Sequence, residues 1–130
     1  MKSRIITVQN VNVAVAKTEI DDYNSKETNA MVKHIILWQL KDELSTEEKV
    51  QVKAGIKSGL EGLKGQIPCL TDIHVQTEGL PSSNADVMLD STFVDEAALK
   101  AYAVHPAHVE VADTKVRPFT KSRACLDYEI

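Results

Sequence analysis

The sequence predicts an α+β domain with the element order βαββαβ and a single antiparallel sheet. Two observations carry this reading. After residue 30, four segments alternate apolar and polar side chains with the period of a strand. The two segments between them repeat their apolar residues at helical spacing. A third observation sets the scale: 130 residues at 43% apolar content are enough for one core.

Residues 1–30 are expected to be an extension of the domain at 31–130. Ile5, Ile6 and Val8 precede the alternating Val11, Val13 and Val15, which reads as a strand. Thr18 to Ala30 is polar and reads as a linker. A lone strand cannot bury both faces, so this one is expected to join a sheet edge. Met31 could itself serve as a start.

Val32 to Lys41 is the clearest strand. Val32, His34, Ile36, Trp38 and Leu40 share one face, with Lys33, Ile35, Leu37, Gln39 and Lys41 on the other. Both faces are apolar in the middle, which predicts a central strand covered on both sides. Ser45-Thr46-Glu47-Glu48 is a capping box, and a helix is expected to about Lys64. Val52, Ile56, Leu60, Leu63 and Ile67 form its stripe, interrupted by Gly55, Gly59 and Gly62. Those glycines suggest either close packing on the sheet or a weak helix. Gly65 and Pro68 end it.

Leu70 to Thr77 alternates and makes the second strand. A turn-rich loop at 79–84 leads to the third, Ala85 to Val94. Asp95 is a natural N-cap for a helix from Glu96 to about Val104. Pro106 opens a new helical piece, expected to reach about Val116, and Pro118 stops it. Ala124 to Ile130 alternates as the fourth strand. This order is the ferredoxin-like split βαβ arrangement, with helices on one sheet face. A second copy is the simplest cover for the other face, giving a dimeric α/β barrel with twofold symmetry.

The composition excludes several function classes. The formal net charge is −4, and no Lys/Arg cluster marks a nucleic-acid surface. No apolar run approaches a membrane span, and the N-terminus lacks the core of a signal peptide. Cys69 and Cys125 are far apart and form no CxxC, which fits a reducing cytoplasm and two small core residues. Nucleotide, P-loop, serine-hydrolase and HExxH motifs are missing from the sequence.

One stretch carries candidate chemistry: Tyr102-Ala103-Val104-His105-Pro106-Ala107-His108. Tyr102 and His108 would diverge on an unbroken helix, and the interruption at Pro106 lets them converge. An imidazole beside a phenol can exchange protons near neutral pH. His34 shares the strand face of Trp38 and enters an apolar interior. His34 reads equally well as a hydrogen-bonded core histidine, and Tyr102 as a core residue. His105 reads best as the N-cap before Pro106. No carboxylate or cysteine except the distant Asp113 lies at ligand spacing from the His105/His108 pair, so no metal or cofactor is expected. His74 falls on a polar face and reads as surface. A cavity of about 300 Å³ or more, with His34, Tyr102 and His108 turned into it, is what a binding or catalytic role requires.

Met31-Val32-Lys33-His34-Ile35-Ile36-Leu37, Phe93, Tyr102-x-x-His105-Pro106-Ala107-His108 and Asp127-Tyr128 together resemble the stress-responsive A/B barrel family (the dimeric alpha-beta barrel, or Dabb, domain). The resemblance spans residues 31–130. It implies a homodimeric barrel and leaves activity open, because most members have no assigned reaction. One member is a cofactor-free polyketide cyclase. There a tyrosine and a histidine of the same stretch form the catalytic pair, and the first-strand histidine lines the pocket. By position these match Tyr102, His108 and His34, with Trp38 and His105 as further candidate binding residues. The resemblance thus implies either an uncharacterised dimer with a small-molecule site or an acid–base enzyme for aldol-type ring closure. The ligand in either case would be small and apolar or carbonyl-bearing.

Overall fold

A computed structural model describes residues 30–130. The strand and linker expected at the N-terminus lie outside these residues, apart from Ala30. The described chain is α+β: four antiparallel strands in the order β2-β3-β1-β4, with helices on one face. The strands are β1 (Val32–Leu40), β2 (Leu70–Gln76), β3 (Val87–Phe93) and β4 (Thr120–Glu129). The helices are α1 (Thr46–Glu61), α2 (Glu96–Val104) and α3 (Pro106–Val111).

β1 is central, and its inner face is buried along its whole length. Val32, Ile36, Trp38 and Leu40 are buried with His34, and the core continues through Leu89 and Phe93 of β3 and Val75 of β2. α1 starts at its capping box: Ser45 Oγ accepts from the Glu48 amide, and Glu48 Oε1 accepts from the Ser45 amide at 2.8 Å. It packs Ile56 and Leu60 against the sheet, and Leu63 and Ile67 continue the contact beyond its end. Gly62 caps the helix earlier than the expected Lys64, and Gly65, at φ 89°, supplies the left-handed turn that follows.

Gly59 marks a close approach, though to α3 rather than to the sheet. A Cβ there would sit 2.9 Å from Val111 Cγ1. A side-chain clasp also fixes α1 to the edge strand β2. Glu61 Oε2 accepts from the Val75 amide at 2.9 Å, and Lys57 Nζ donates to the Val75 carbonyl at 2.9 Å.

Two segments differ from expectation. The helical piece after Pro106 is α-helical only to Val111, and a wider π turn then runs from Ala112 to Val116. Pro118 cannot donate to the carbonyl four residues back and crowds it, which opens the preceding turn. β4 begins at Thr120, well before the alternation at Ala124. Lys121, Ser122 and Arg123 hide that start, because an edge strand needs no apolar residues to pair.

The outer face of the sheet has no cover within the described residues. Leu37 is 41% exposed, Leu126 64% and Tyr128 44%. Register places these with Ile35 and Met88 on one surface. The double cover expected for β1 is therefore single in one chain. Cys69 and Cys125 are both exposed, which corrects their reading as core residues. Cys69 holds a left-handed turn (φ 68°), and Cys125 lies on the uncovered edge strand. Among the described residues, no helix is long and apolar enough to cross a membrane.

Candidate functional site

The inner face of β1 aims His34 beneath α2. His34 is 7% exposed, and its ring lies 6.1 Å, centre to centre, from that of Tyr102. Tyr102 is 1% exposed and packs edge-on against Phe93, with centroids 4.9 Å apart. Asp95 starts α2 by accepting from the Ala98 amide, which sets the phase that turns Leu99 and Tyr102 inward.

The chain breaks at His105. This residue ends α2 and caps α3, its Nδ1 accepting from the Ala107 amide at 3.1 Å. The break brings His108 back over Tyr102, with ring centroids 4.2 Å apart and planes tilted by 35°. His34, Trp38, Tyr102 and His108 then line one enclosed chamber of about 140 Å³. His105 is not part of that lining; its ring serves as the helix cap.

The chamber alone is smaller than the expected cavity. It adjoins a groove of about 680 Å³ between α2 and the inner face of β4, and both spaces are lined by His34, Leu99, Ala103 and Arg123. Among the described residues no helix covers β4, which leaves the groove open.

Tyr102 and His108 do not form the expected phenol–imidazole hydrogen bond. Among the described residues, the Tyr102 hydroxyl is buried with no hydrogen-bond partner. Burial pushes its pKa well above the usual 10, so it stays a protonated donor. His108 Nδ1 lies 3.2 Å from the Ala103 carbonyl and donates to it. Desolvation lowers the His108 pKa below 6.5 against that bond, helped by Arg117, His34 and Arg123. A neutral ring that donates through Nδ1 leaves Nε2 as a free acceptor.

Sequence reasoning gave no role to Asp127 beside His34. Its Oδ1 lies 2.5 Å from His34 Nδ1. The carboxylate accepts, so Nδ1 carries the hydrogen. Strand register decides this pair: His34 faces Asp127, Ile36 faces Cys125 and Trp38 faces Arg123. The period of β4 puts Arg123, Cys125 and Asp127 on one face, but only pairing shows that this face meets His34. His74 is exposed on β2 and contacts Asp72 at 3.0 Å, away from the site. The arrangement thus combines one buried hydroxyl donor, one imidazole acceptor at His108 and a second imidazole oriented by a carboxylate around a small space.

Residues 32–130 match the model of the stress responsive A/B barrel domain. The chain belongs to this family. The stress responsive A/B barrel fold also appears in its structural neighbours. A dimeric protein of unknown function and ferredoxin-like fold from Bacteroides fragilis is 36% identical, with a TM-score of 0.73, over 77% of this chain and 96% of the other. A Dabb family protein from Mesorhizobium loti is 21% identical, with a TM-score of 0.60, covering 76% and 95% of the two chains. Hydroxynitrile lyase from Passiflora edulis is 22% identical, also at a TM-score of 0.60, covering 77% and 93%. The last two likenesses establish the fold. No curated protein matches the chain significantly.

Proposed function

We propose that this stress responsive A/B barrel protein binds a small carbonyl-bearing molecule in the chamber at His34, Tyr102 and His108. The Tyr102 hydroxyl carries the reading. A buried donor without a partner costs stability, and a ligand carbonyl oxygen would satisfy it. The apolar body of the ligand would rest on Trp38 and Leu99, with its remainder in the groove. A thermal-shift screen of carbonyl metabolites, run on wild type beside His108→Ala, tests this. A ligand should raise the melting point of wild type and shift the variant less. Equal shifts in both proteins would remove the ligand from the chamber.

A second reading, cofactor-independent acid–base catalysis of the aldol type, is favoured by the His34–Asp127 pair. Asp127 orients the ring as an orienting carboxylate does in acid–base sites. Tyr102 would donate to the carbonyl oxygen while Nε2 of His34 or His108 took the α-proton. Exchange of a bound ketone's α-hydrogens for deuterium, followed by NMR, separates the readings. Binding without exchange leaves only the first.

The protein would act as a homodimer closed by the outer sheet face, as the Bacteroides fragilis relative is dimeric. Ile35, Leu37, Leu126 and Tyr128 supply that face. Light scattering tests it, and a stable monomer at micromolar concentration would refute it. The unpaired thiols suit a reducing compartment such as the cytoplasm.

A further inference from the structure

We propose that His34, Cys125 and Asp127 form a binding site for a divalent transition metal, with Zn²⁺ the best fit, on the wall of the groove. The site shares His34 with the chamber but does not depend on a ligand there. His34 Nδ1 lies 2.5 Å from Asp127 Oδ1 and 3.8 Å from Cys125 Sγ, and Cys125 Sγ lies 3.4 Å from Asp127 Oδ1. Tetrahedral zinc, with bonds of about 2.0–2.3 Å, sets ligand separations of about 3.4–3.6 Å. The two sulfur edges match within about 0.3 Å on that scale. The third is short because the nitrogen and oxygen share the hydrogen that a metal would replace.

Little has to move. The three residues are held by one antiparallel register, His34 opposite Asp127 and Ile36 opposite Cys125. Cys125 and Asp127 stand on an exposed edge strand, so a side-chain rotation of Asp127 opens the third edge. A donor set of one sulfur, one nitrogen and one oxygen selects zinc or cobalt over magnesium or calcium. All three residues line the groove, so the fourth coordination position faces solvent. Three protein ligands with one open position is the pattern of zinc sites that take up water or substrate, whereas closed structural sites use four.

The surrounding charges are mixed. Arg123 also contacts the Cys125 thiol and, with Lys100 on the groove wall, opposes a cation, while Glu96 and Glu129 favour one. A divalent cation binds thiolate, carboxylate and the bare imidazole nitrogen, so uptake releases protons and affinity rises with pH.

The test is a titration of the full chain with Co²⁺ in a non-thiol reductant. A thiolate-to-cobalt charge-transfer band should appear and vanish on adding Zn²⁺. Cys125→Ser should abolish the band, and Asp127→Asn should weaken zinc binding by roughly 10-fold or more. Cys69→Ser should change neither, since Cys69 lies apart from this cluster. Absence of the band, its survival in Cys125→Ser, or its loss in Cys69→Ser would overturn the site. Should Cys125→Ser fail to fold, the ¹⁵N resonances of the His34 ring in wild type decide. A zinc-induced shift at Nδ1 supports the site, and unchanged resonances overturn it.

Discussion

Replacing Tyr102 with phenylalanine should make the protein more stable. The substitution removes only the hydroxyl. The ring keeps its edge contact with Phe93 at 4.9 Å and its packing on His108 at 4.2 Å. The hydroxyl is buried without a partner, and such a group costs about 1–3 kcal/mol of desolvation on folding. The fold shows no compensating bond that would be lost. A gain of about 1 kcal/mol is expected, which for a domain near this size raises Tm by about 4–8 °C. Urea unfolding of both proteins at one concentration measures it, with an unchanged slope confirming comparable folded states. The same variant should lose the thermal shift given by a carbonyl ligand. A loss of 1 kcal/mol or more in Tyr102→Phe would refute the reasoning, because it would mean that the hydroxyl is satisfied in the free protein.

Four further outcomes follow from the packing and the charges. Gly55→Ala should stabilise by about 0.5–1 kcal/mol through helix propensity, since its new methyl meets nothing closer than Lys115 Cδ at 3.7 Å. Gly59→Ala should instead destabilise by about 1–2 kcal/mol, because Val111 must give way; equal effects at both positions in chemical denaturation would contradict the α1–α3 contact. His108 has a folded pKa below its ordinary 6.5, so the unfolded chain binds the proton more readily. Its contribution to stability is intact above pH 6.5 and falls as pH drops toward the folded value, and His108→Gln should flatten the slope of stability against pH in that window. Leu37→Lys should leave the monomer folded, because the side chain is 41% exposed, yet abolish dimerisation in light scattering.

The sequence revealed the fold wherever burial imposes a period. The two-sided pattern around Ile36, the capping box at Ser45 and the break at Pro106 each have a local physical cause. They place β1, α1 and the α2–α3 corner to within a few residues. β4 was harder, because its first residues are polar and held by pairing alone. The site divides in the same way. Tyr102 and His108 were legible because a proline-broken helix announces itself locally. Asp127 was not, since its contact with His34 spans 93 positions and depends on strand register. The orphaned hydroxyl of Tyr102 is a property of packing, which no spacing rule encodes.

The clasp of Lys57 and Glu61 on Val75 has a consequence for assembly. A sheet of this order has two borders, β2 and β4. At the middle of β2 the outward amide and carbonyl are already taken by side chains of α1. An incoming strand would find no vacancy there, whereas β4 has a long exposed border. The sheet is thus guarded at the middle of one border, where a neighbouring backbone would first have to displace the α1 side chains from Val75.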